Sequence, residues 1–404
     1  MSLLDALLVI YAAAALLYWF FMAYGAIRLN GLPWLSRLGG PAPAEDSGRR
    51  SAESARRPKV SVVVPGCNEA DKVEAAARTL LAEDYPDLEI ILVDDRSTDA
   101  TGAVMDRVAA TDPRARVIHI KELPAGWLGK VHALDTGLRA SSGEFVLFTD
   151  ADVHFEPGTI RLAVAHCVAA KVDHLGALPN LYPTSLLLDA ALSAAVRQVM
   201  VFLRLWKVAD PESRAYAGIG AFNLVRRSAF NDTPGFEWLR LEIIDDAGLG
   251  LMMKSNGKSS CIVLAFDRVR LHWYRSFREA ARGTEKGWGS VLRFSLVRAA
   301  FGAIVGLAVE LAPVLLPLLL LGGAVFAGFL GIAVLGLYLI TSAAIWNWIG
   351  GRPWPHLLSA LSAPILVALL VRAAWLGWRR HGVLWRGTLY PDDVLRPGRR
   401  VKFP

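Results

Sequence analysis

Between Val60 and Thr149 four short runs alternate with stretches of helical spacing, and that alternation leaves the chain few folds to choose from. The runs are Val60 to Val64, Leu88 to Val93, Arg116 to Ile120 and Phe145 to Thr149. The last is apolar or β-branched throughout, and the first is so except for Ser61, as expected of strands covered on both faces of a sheet. The spacers suit helices ending near Leu81, Ala110 and Ala140, with Ser97, Thr98 or Asp99 placed to cap the second. Such a β-α-β-α-β-α-β order predicts an α/β domain with a doubly wound, mainly parallel sheet. Ligands bind at the carboxyl ends of strands in such sheets, and that rim collects Asp95, Lys130, Asp150 and Asp152.

The last run ends in Asp150-Ala-Asp152. Two carboxylates there suit a divalent cation, Mg2+ or Mn2+, shared with a diphosphate, because hard cations take oxygen ligands. The pair alone is equally consistent with two solvated acids in a turn. Beyond it, Pro157 to Ala170 reads as a helix and His174 to Pro179 as a strand. Thr184 to Val208 has apolar residues at helical spacing, which fits either a core helix or an amphipathic helix in a membrane interface. Gly218-Ile-Gly220-Ala-Phe222 lacks side chains where a backbone approaches a ligand. Glu242-Ile-Ile-Asp245-Asp246 opens a helix toward Lys254 that Asn256-Gly257 ends, and Ser259 to Val269 is a last strand. His272 to Trp288 is basic and aromatic, with Arg275, Arg278, Arg282 and Lys286.

The two ends belong to a different solvent. Ala6 to Ile27 is uncharged and long enough to cross a bilayer, with its basic residues after it: Arg28, Arg37, Arg49, Arg50, Arg56, Arg57 and Lys59. A cleaved signal peptide carries them before its apolar core. The positive-inside rule therefore puts the domain that follows in the cytoplasm, behind a Pro/Ala/Ser/Arg linker over Gly39 to Arg57. From Ala299 to Gly351 the only charge is Glu310, which should face protein or a polar headgroup. That length suits two spans joined near Gly322-Gly323, with Pro353 to Val371 as a third. The tail after Trp378 is basic, which argues for the cytoplasm, yet three full spans would put it outside; the last and shortest segment is therefore expected to be re-entrant or interfacial. The divisions are 1–28 for the first span, 29–58 for the linker, 59–290 for the sheet domain, 291–378 for the C-terminal helices and 379–404 for the tail. Cys67, Cys167 and Cys261 are odd in number and widely spaced, as in a reducing compartment. Much of the net charge of +7 lies beside apolar segments, which fits anionic lipid headgroups and not nucleic acid.

Taken together, Val63-Val-Pro-Gly-Cys-Asn-Glu69, Val93-Asp-Asp-Arg-Ser-Thr-Asp99, Gly126-Trp-Leu-Gly-Lys130, Asp150-Ala-Asp152, Gly218-Ile-Gly-Ala-Phe222 and Asp245-Asp246 resemble the catalytic region of family-2 glycosyltransferases with the GT-A fold. The flanking apolar segments are similar to the membrane-bound branch that glycosylates lipids, including ceramide, hopanoid-associated and carotenoid-type enzymes. Trp385-Arg-Gly-Thr-Leu-Tyr390 resembles a tail of that branch. The resemblance implies that Pro65, Glu69 and Asp95 line a nucleoside pocket and that Lys130 reaches the base or diphosphate. It implies Asp152 as metal ligand, Asp150 on ribose or metal through water, and His272 either in the metal shell or structural. Asp246 falls at the position of the catalytic base, with Asp245 where the family usually has Glu; Glu242 nearby adds like charge that raises a carboxylate pKa. Gly220 lies against the donor, and Lys286 and Trp288 are expected at the diphosphate and acceptor. Processive members carry Gln-x-x-Arg-Trp; Arg282-Gly-Thr-Glu-Lys-Gly-Trp288 lacks that Gln and spacing, which favours a single transfer.

The expectation is thus inverting transfer of one sugar from a nucleotide-sugar donor, UDP-linked, to a membrane lipid hydroxyl, by a multi-pass protein of the inner membrane facing the cytoplasm. A polyprenyl-phosphate acceptor, which needs little base catalysis, and a non-catalytic nucleotide-sugar-binding scaffold remain alternatives. A nucleotidyltransferase shares the sheet, but its glycine-rich first loop is missing.

Overall fold

The computed structural model describes residues 2–38, 57–292, 295–349 and 351–402. The expected linker, with Arg49, Arg50 and Arg56, lies outside the described residues except for Arg57. The chain opens with α1 (Leu3–Leu29), whose Ser2 and Asp5 form a capping box. A short α2 (Leu35–Leu38) follows, and Trp34 bridges to Leu264, so the first helix is tied directly to the sheet.

The expected alternation then appears as β1 (Val60–Gly66), α3 (Val73–Leu81), β2 (Leu88–Asp95), α4 (Thr101–Ala109), β3 (Ala115–Ile120), α5 (Gly129–Ala140) and β4 (Phe145–Phe148). Asp99 accepts the Thr101 N–H at 2.9 Å and so satisfies a donor at the start of α4. After the turn come β5 (His154–Phe155), α6 (Thr159–Ala169), β6 (His174–Leu181), α7 (Leu186–Phe202), β7 (Asn223–Arg226), α8 (Arg227–Asn231), α9 (Gly235–Leu239), α10 (Asp245–Ser255) and β8 (Ser260–Leu271). One sheet results, in the order β3-β2-β1-β4-β7-β6-β8-β5. It is mostly parallel; β7 runs against β4 and β6, and β5 runs against β8. Val62, Val64, Phe145 and Leu147 enter one core, while Val63, Val146 and Phe148 enter another. Successive strand residues thus face opposite layers, which is why these runs are apolar without alternation.

The remaining chain forms α11 (Phe277–Val291), α12 (Leu296–Leu315), α13 (Val325–Ile349), α14 (Trp354–Leu357), α15 (Ala363–Arg380), the hairpin β9 (Gly382–Trp385) and β10 (Thr388–Pro391), and α16 (Asp392–Gly398). Among the described residues five helices are long and apolar enough to cross a membrane: Leu3–Leu29, Leu186–Lys207, Leu296–Leu315, Val325–Asn347 and Ala360–Arg380. A third core, around Trp19, Met22, Val201, Leu264, Phe266 and Tyr338, joins α1, α7 and α13 to β8.

One expectation needs correction. The last apolar helix is displaced: α15 covers Ala363–Arg380, not Pro353 to Val371, because prolines at 353 and 355 confine the chain to the short α14 and Pro364 sits in the first turn of α15. The basic tail packs on the sheet domain. Val383, Tyr390 and Leu395 are buried in the same core as Val63 and Phe148, and Glu242 accepts the backbone N–H groups of Arg400 at 2.5 Å and Val401 at 2.8 Å.

Candidate active site

β4 delivers Asp150 to the rim, and Thr149 behind it donates to the Ala221 carbonyl at 2.7 Å, tying the strand end to the glycine loop before β7. Lys130, in the first turn of α5, lies 2.8 Å from Asp150 Oδ1 and 3.1 Å from Asp245 Oδ2. Asp245 and Asp246 open α10, where unpaired N–H groups and the helix dipole favour negative charge. Asp246 Oδ2 accepts the Gly220 N–H at 3.0 Å and its Oδ1 accepts the Ala247 N–H at 2.8 Å. Gly220 is a glycine for a steric reason: a Cβ there would sit 3.0 Å from Asp150 Oδ2 and 3.3 Å from Asp246 Oδ2. Two carboxylates thus meet at Gly220, and Lys130 links Asp150 to Asp245, so three carboxylates and one ammonium line one cleft.

Burial, the neighbouring Asp245 and, more weakly, Asp150 push the Asp246 carboxyl up to about 6, against the pull of Lys130. Burial works against the Lys130 charge, but Asp150, Asp245 and Asp246 outweigh it and hold its pKa above the ordinary lysine value. The Glu242 carboxylate accepts the Ile244, Arg400 and Val401 N–H groups, and the like charge that raises Asp246 comes chiefly from Asp245 and then Asp150. Asn223, held by the buried His174 at 2.6 Å, lines the same cleft.

The second half of the D-x-D pair faces elsewhere. The chain turns at Ala151 and Asp152, so the two carboxylates lose the shared face they would have in a continued strand. Asp152 Oδ2 lies 3.7 Å from Lys72 Nζ, which also approaches Glu69 at 3.4 Å and Glu279 at 3.2 Å. Arg386, from the tail, pairs with Glu69 as well. Burial, Asp150 and Glu69 push the Asp152 carboxyl up to about 6. Among the described residues no three His, Cys, Asp or Glu side chains gather closely enough to hold a metal by themselves. His272 is not grouped with Asp150 and Asp152 in that way; its ring lies 4.8 Å from Tyr182 and its buried Nδ1 has no hydrogen-bond partner. Asp150 and Asp152 are nonetheless hard oxygen donors in a surplus of negative charge, which fits a divalent cation whose remaining ligands come from a bound phosphate.

The other expected residues divide. Pro65 is buried near the end of β1, and Asp95 at the end of β2 is held by Arg96 Nε at 2.7 Å. Lys286 on α11 lies over the Trp385 ring at 4.4 Å; burial and Lys130 lower its pKa, and Asp245, Asp150 and Asp246 oppose that. Trp288 is turned away, packed with Leu292, Ala299, Ala303 and Leu370 between α11, α12 and α15. The reading from sequence missed Lys72, Glu279, Asn223 and Arg386. Only Arg386 carried a signal, in the tail motif, and nothing local told where that motif docks.

Residues 61–232 match the family described as Glycosyl transferase family 2. The chain is 35% identical over 103 residues to the GalNAc(5)-diNAcBac-PP-undecaprenol beta-1,3-glucosyltransferase of Campylobacter jejuni, a match covering 26% of this chain and 32% of that protein. It is 32% identical over 124 residues to the succinoglycan biosynthesis protein ExoO of Rhizobium meliloti, covering 29% of this chain and 33% of that one. The chain thus spans about a third of the length of these curated relatives. In fold it is similar to the mannosyltransferase PcManGT from Pyrobaculum calidifontis, solved in complex with GDP-Man and Mn2+, with a TM-score of 0.52 and 20% identity over 93% of this chain and 99% of that one. The strand order and the match agree: the segment 61–232 is similar to family-2 glycosyltransferase domains, and the chain carries the mixed, mostly parallel sheet of the GT-A fold.

Proposed function

We propose that this chain is a membrane-bound, inverting glycosyltransferase that moves one sugar from a nucleoside-diphosphate donor, UDP-linked, to the hydroxyl of a membrane lipid. The observation that carries this reading is the cleft lined by Asp150, Asp245, Asp246, Lys130 and Gly220, on a molecule whose flanking helices are apolar enough for a bilayer. Inversion requires the acceptor oxygen to attack the sugar carbon as the bond to the diphosphate breaks on the opposite face, the diphosphate leaving with the electron pair. Asp246 takes the hydroxyl proton. With a pKa near 6 it is ionised at pH 7 and still basic enough to accept that proton. Lys130 spans Asp150 and Asp245 and fixes both carboxylates. Asp152, with Asp150, would hold Mg2+ or Mn2+ jointly with phosphate oxygens; bound there, the cation neutralises charge on the departing diphosphate. Pro65, Glu69 and Asp95 line the nucleoside side, and Lys286 supplies positive charge from α11.

The tail supports a topology. It leaves α15 and packs on the catalytic domain, so the chain between α11 and β9 crosses the bilayer an even number of times. In α15 only Ala363 to Val371 precede Arg372, about 14 Å of helix against a hydrocarbon core of about 30 Å. Arg372 and Arg380 instead pair with Glu285 of α11. We read α12 and α13 as the crossing pair and α15 as interfacial, with the domain in the cytoplasm beside Arg28 and Arg37.

The test is incubation of the purified protein, in nanodiscs, with UDP- and GDP-sugars and a bacterial lipid extract, followed by mass measurement of new glycolipids. The expected product is a lipid heavier by one sugar, lost on adding EDTA and restored by Mn2+ or Mg2+. Absence of both new glycolipid and released nucleotide with every donor rejects the proposal.

A further inference from the structure

The hairpin β9–β10 lies outside the family match and outside the eight-stranded sheet, yet it touches the loops after β1 and β2 and the start of α5. Trp385 pairs with Thr388, so Arg386 and Gly387 form a two-residue turn, both with positive φ, 50° and 81°. Such turns favour Asn or Asp before Gly, and the arginine here places a long cation at the tip. Its guanidinium pairs with Glu69 after β1 and lies within the electrostatic reach of Asp152. Tyr390 accepts the Gly129 N–H at 3.2 Å, at the start of α5, and also partners Arg96 after β2. Trp385 carries the Lys286 ammonium on its ring.

We infer that this hairpin is the outer wall of the donor site and that Arg386 binds the diphosphate of the nucleotide. The inference rests on the transferase reading above. Two observations point to a phosphate and against a mere structural pin. Glu69 already has a second cation, Lys72 at 3.4 Å, so Arg386 leaves no orphaned carboxylate when it turns to an anion. Arg386 is also half exposed, whereas Glu69 is buried, so the movable partner is the arginine. A guanidinium fork matches two phosphate oxygens, which a lysine at the same tip would not do. The turn fixes where the fork starts, and the Tyr390 contact with Gly129 fixes the hairpin against the loop that carries Lys130.

A phosphate oxyanion could come from the donor or from a lipid headgroup, so the experiment is done on the full-length protein in phosphatidylcholine nanodiscs, which lack anionic headgroups. Calorimetric titration with UDP, UMP and GDP in Mn2+ compares wild type, Arg386→Ala and Arg386→Lys. Arg386→Ala is expected to weaken UDP or GDP about tenfold, the size of a lost charge-assisted hydrogen bond, and UMP by less than about twofold. Arg386→Lys should fall between, since it keeps the charge and loses the fork; it also serves the comparison if the alanine variant does not fold. Unchanged diphosphate affinity, or equal losses for UMP and UDP, overturns the inference and leaves the transferase reading intact. A wild-type protein that binds neither UDP nor GDP removes both.

Discussion

At the rim of the sheet three carboxylates gather around one lysine, whereas among the apolar helices one arginine is matched to one glutamate. The helix cluster is buried and the rim cluster partly so, and they are built on opposite principles. Arg197 of α7 pairs with Glu310 of α12 and donates to Ser359 Oγ at 2.8 Å, while its guanidinium lies 4.9 Å over the Trp19 ring of α1. Glu310 also accepts from Tyr18 at 2.8 Å and Gln198 at 2.9 Å. That cluster pairs one cation with one anion, leaving only the Arg197 Nε without a partner, so it serves assembly: it joins α1, α7, α12 and the turn before α15. The rim cluster keeps a surplus of negative charge and one carboxyl with raised proton affinity, a state that costs stability and is useful only when a cation or proton arrives.

Breaking the rim should therefore cost activity, and breaking the helix cluster should cost stability. The largest effect is expected for Asp246→Asn: turnover falls about 10²- to 10⁴-fold with thermal unfolding unchanged or shifted upward, read by sugar transfer and by differential scanning fluorimetry. Turnover within twofold of wild type would remove Asp246 from the base role and favour a phosphate acceptor. Glu310→Gln is expected to destabilise the protein by about 3–5 kcal/mol, since it strands the Arg197 charge, and the double change Arg197→Met with Glu310→Leu should recover most of the loss. Detergent-melting curves measure both; an unshifted single variant would mean the pair is solvated and not an internal joint.

A pH titration sharpens the contrast. Turnover should fall about tenfold per unit below pH 6, where Asp246 takes up its proton, and level off above. Stability should run the other way over part of that range. The folded pKa of Asp246 lies above the ordinary aspartate value of 3.8, so the folded state binds more protons between about pH 4 and 6, and stability declines as pH rises through that window. Asp152, also raised to about 6, contributes with the same sign. Urea midpoints at pH 4.5 and 7 check this; a midpoint that rises with pH contradicts the raised pKa values. The smallest effect is expected for Gly220→Ala: its Cβ would press on Asp150 and Asp246 by a few tenths of an ångström, lowering turnover about tenfold while leaving nucleotide affinity within about twofold. Equal losses in both would place Gly220 against the nucleotide.

The order of strands and helices around the first half of the sheet was legible because burial on two faces and turn chemistry are local properties. Val60 to Val64 and Phe145 to Thr149 state their surroundings in their own composition. The acids at strand ends, Asp95, Asp150 and Asp152, were legible too, because an α/β rim is where such ends meet, whereas Asp245 and Asp246 were picked out by their resemblance to a family motif. The two-residue β5, the position of α15 and the packed tail were not. Each depends on a partner far along the chain, and a short strand or a shifted helix leaves no period to detect.

Amino-acid order alone thus determined the kind of sheet, the apolar flanks and which acids reach the rim, since these follow from periodicities of two and 3.6 residues and from runs of uncharged residues. Only the tertiary structure decided how the acids are shared out. It set Asp150 against Lys130 and Asp152 against Lys72, turned Trp288 into a helix interface, and brought Arg386 across 317 positions onto Glu69. The physical reason is that side-chain direction at a turn and contact between distant segments are set by packing of the whole chain, which no short stretch of sequence encodes.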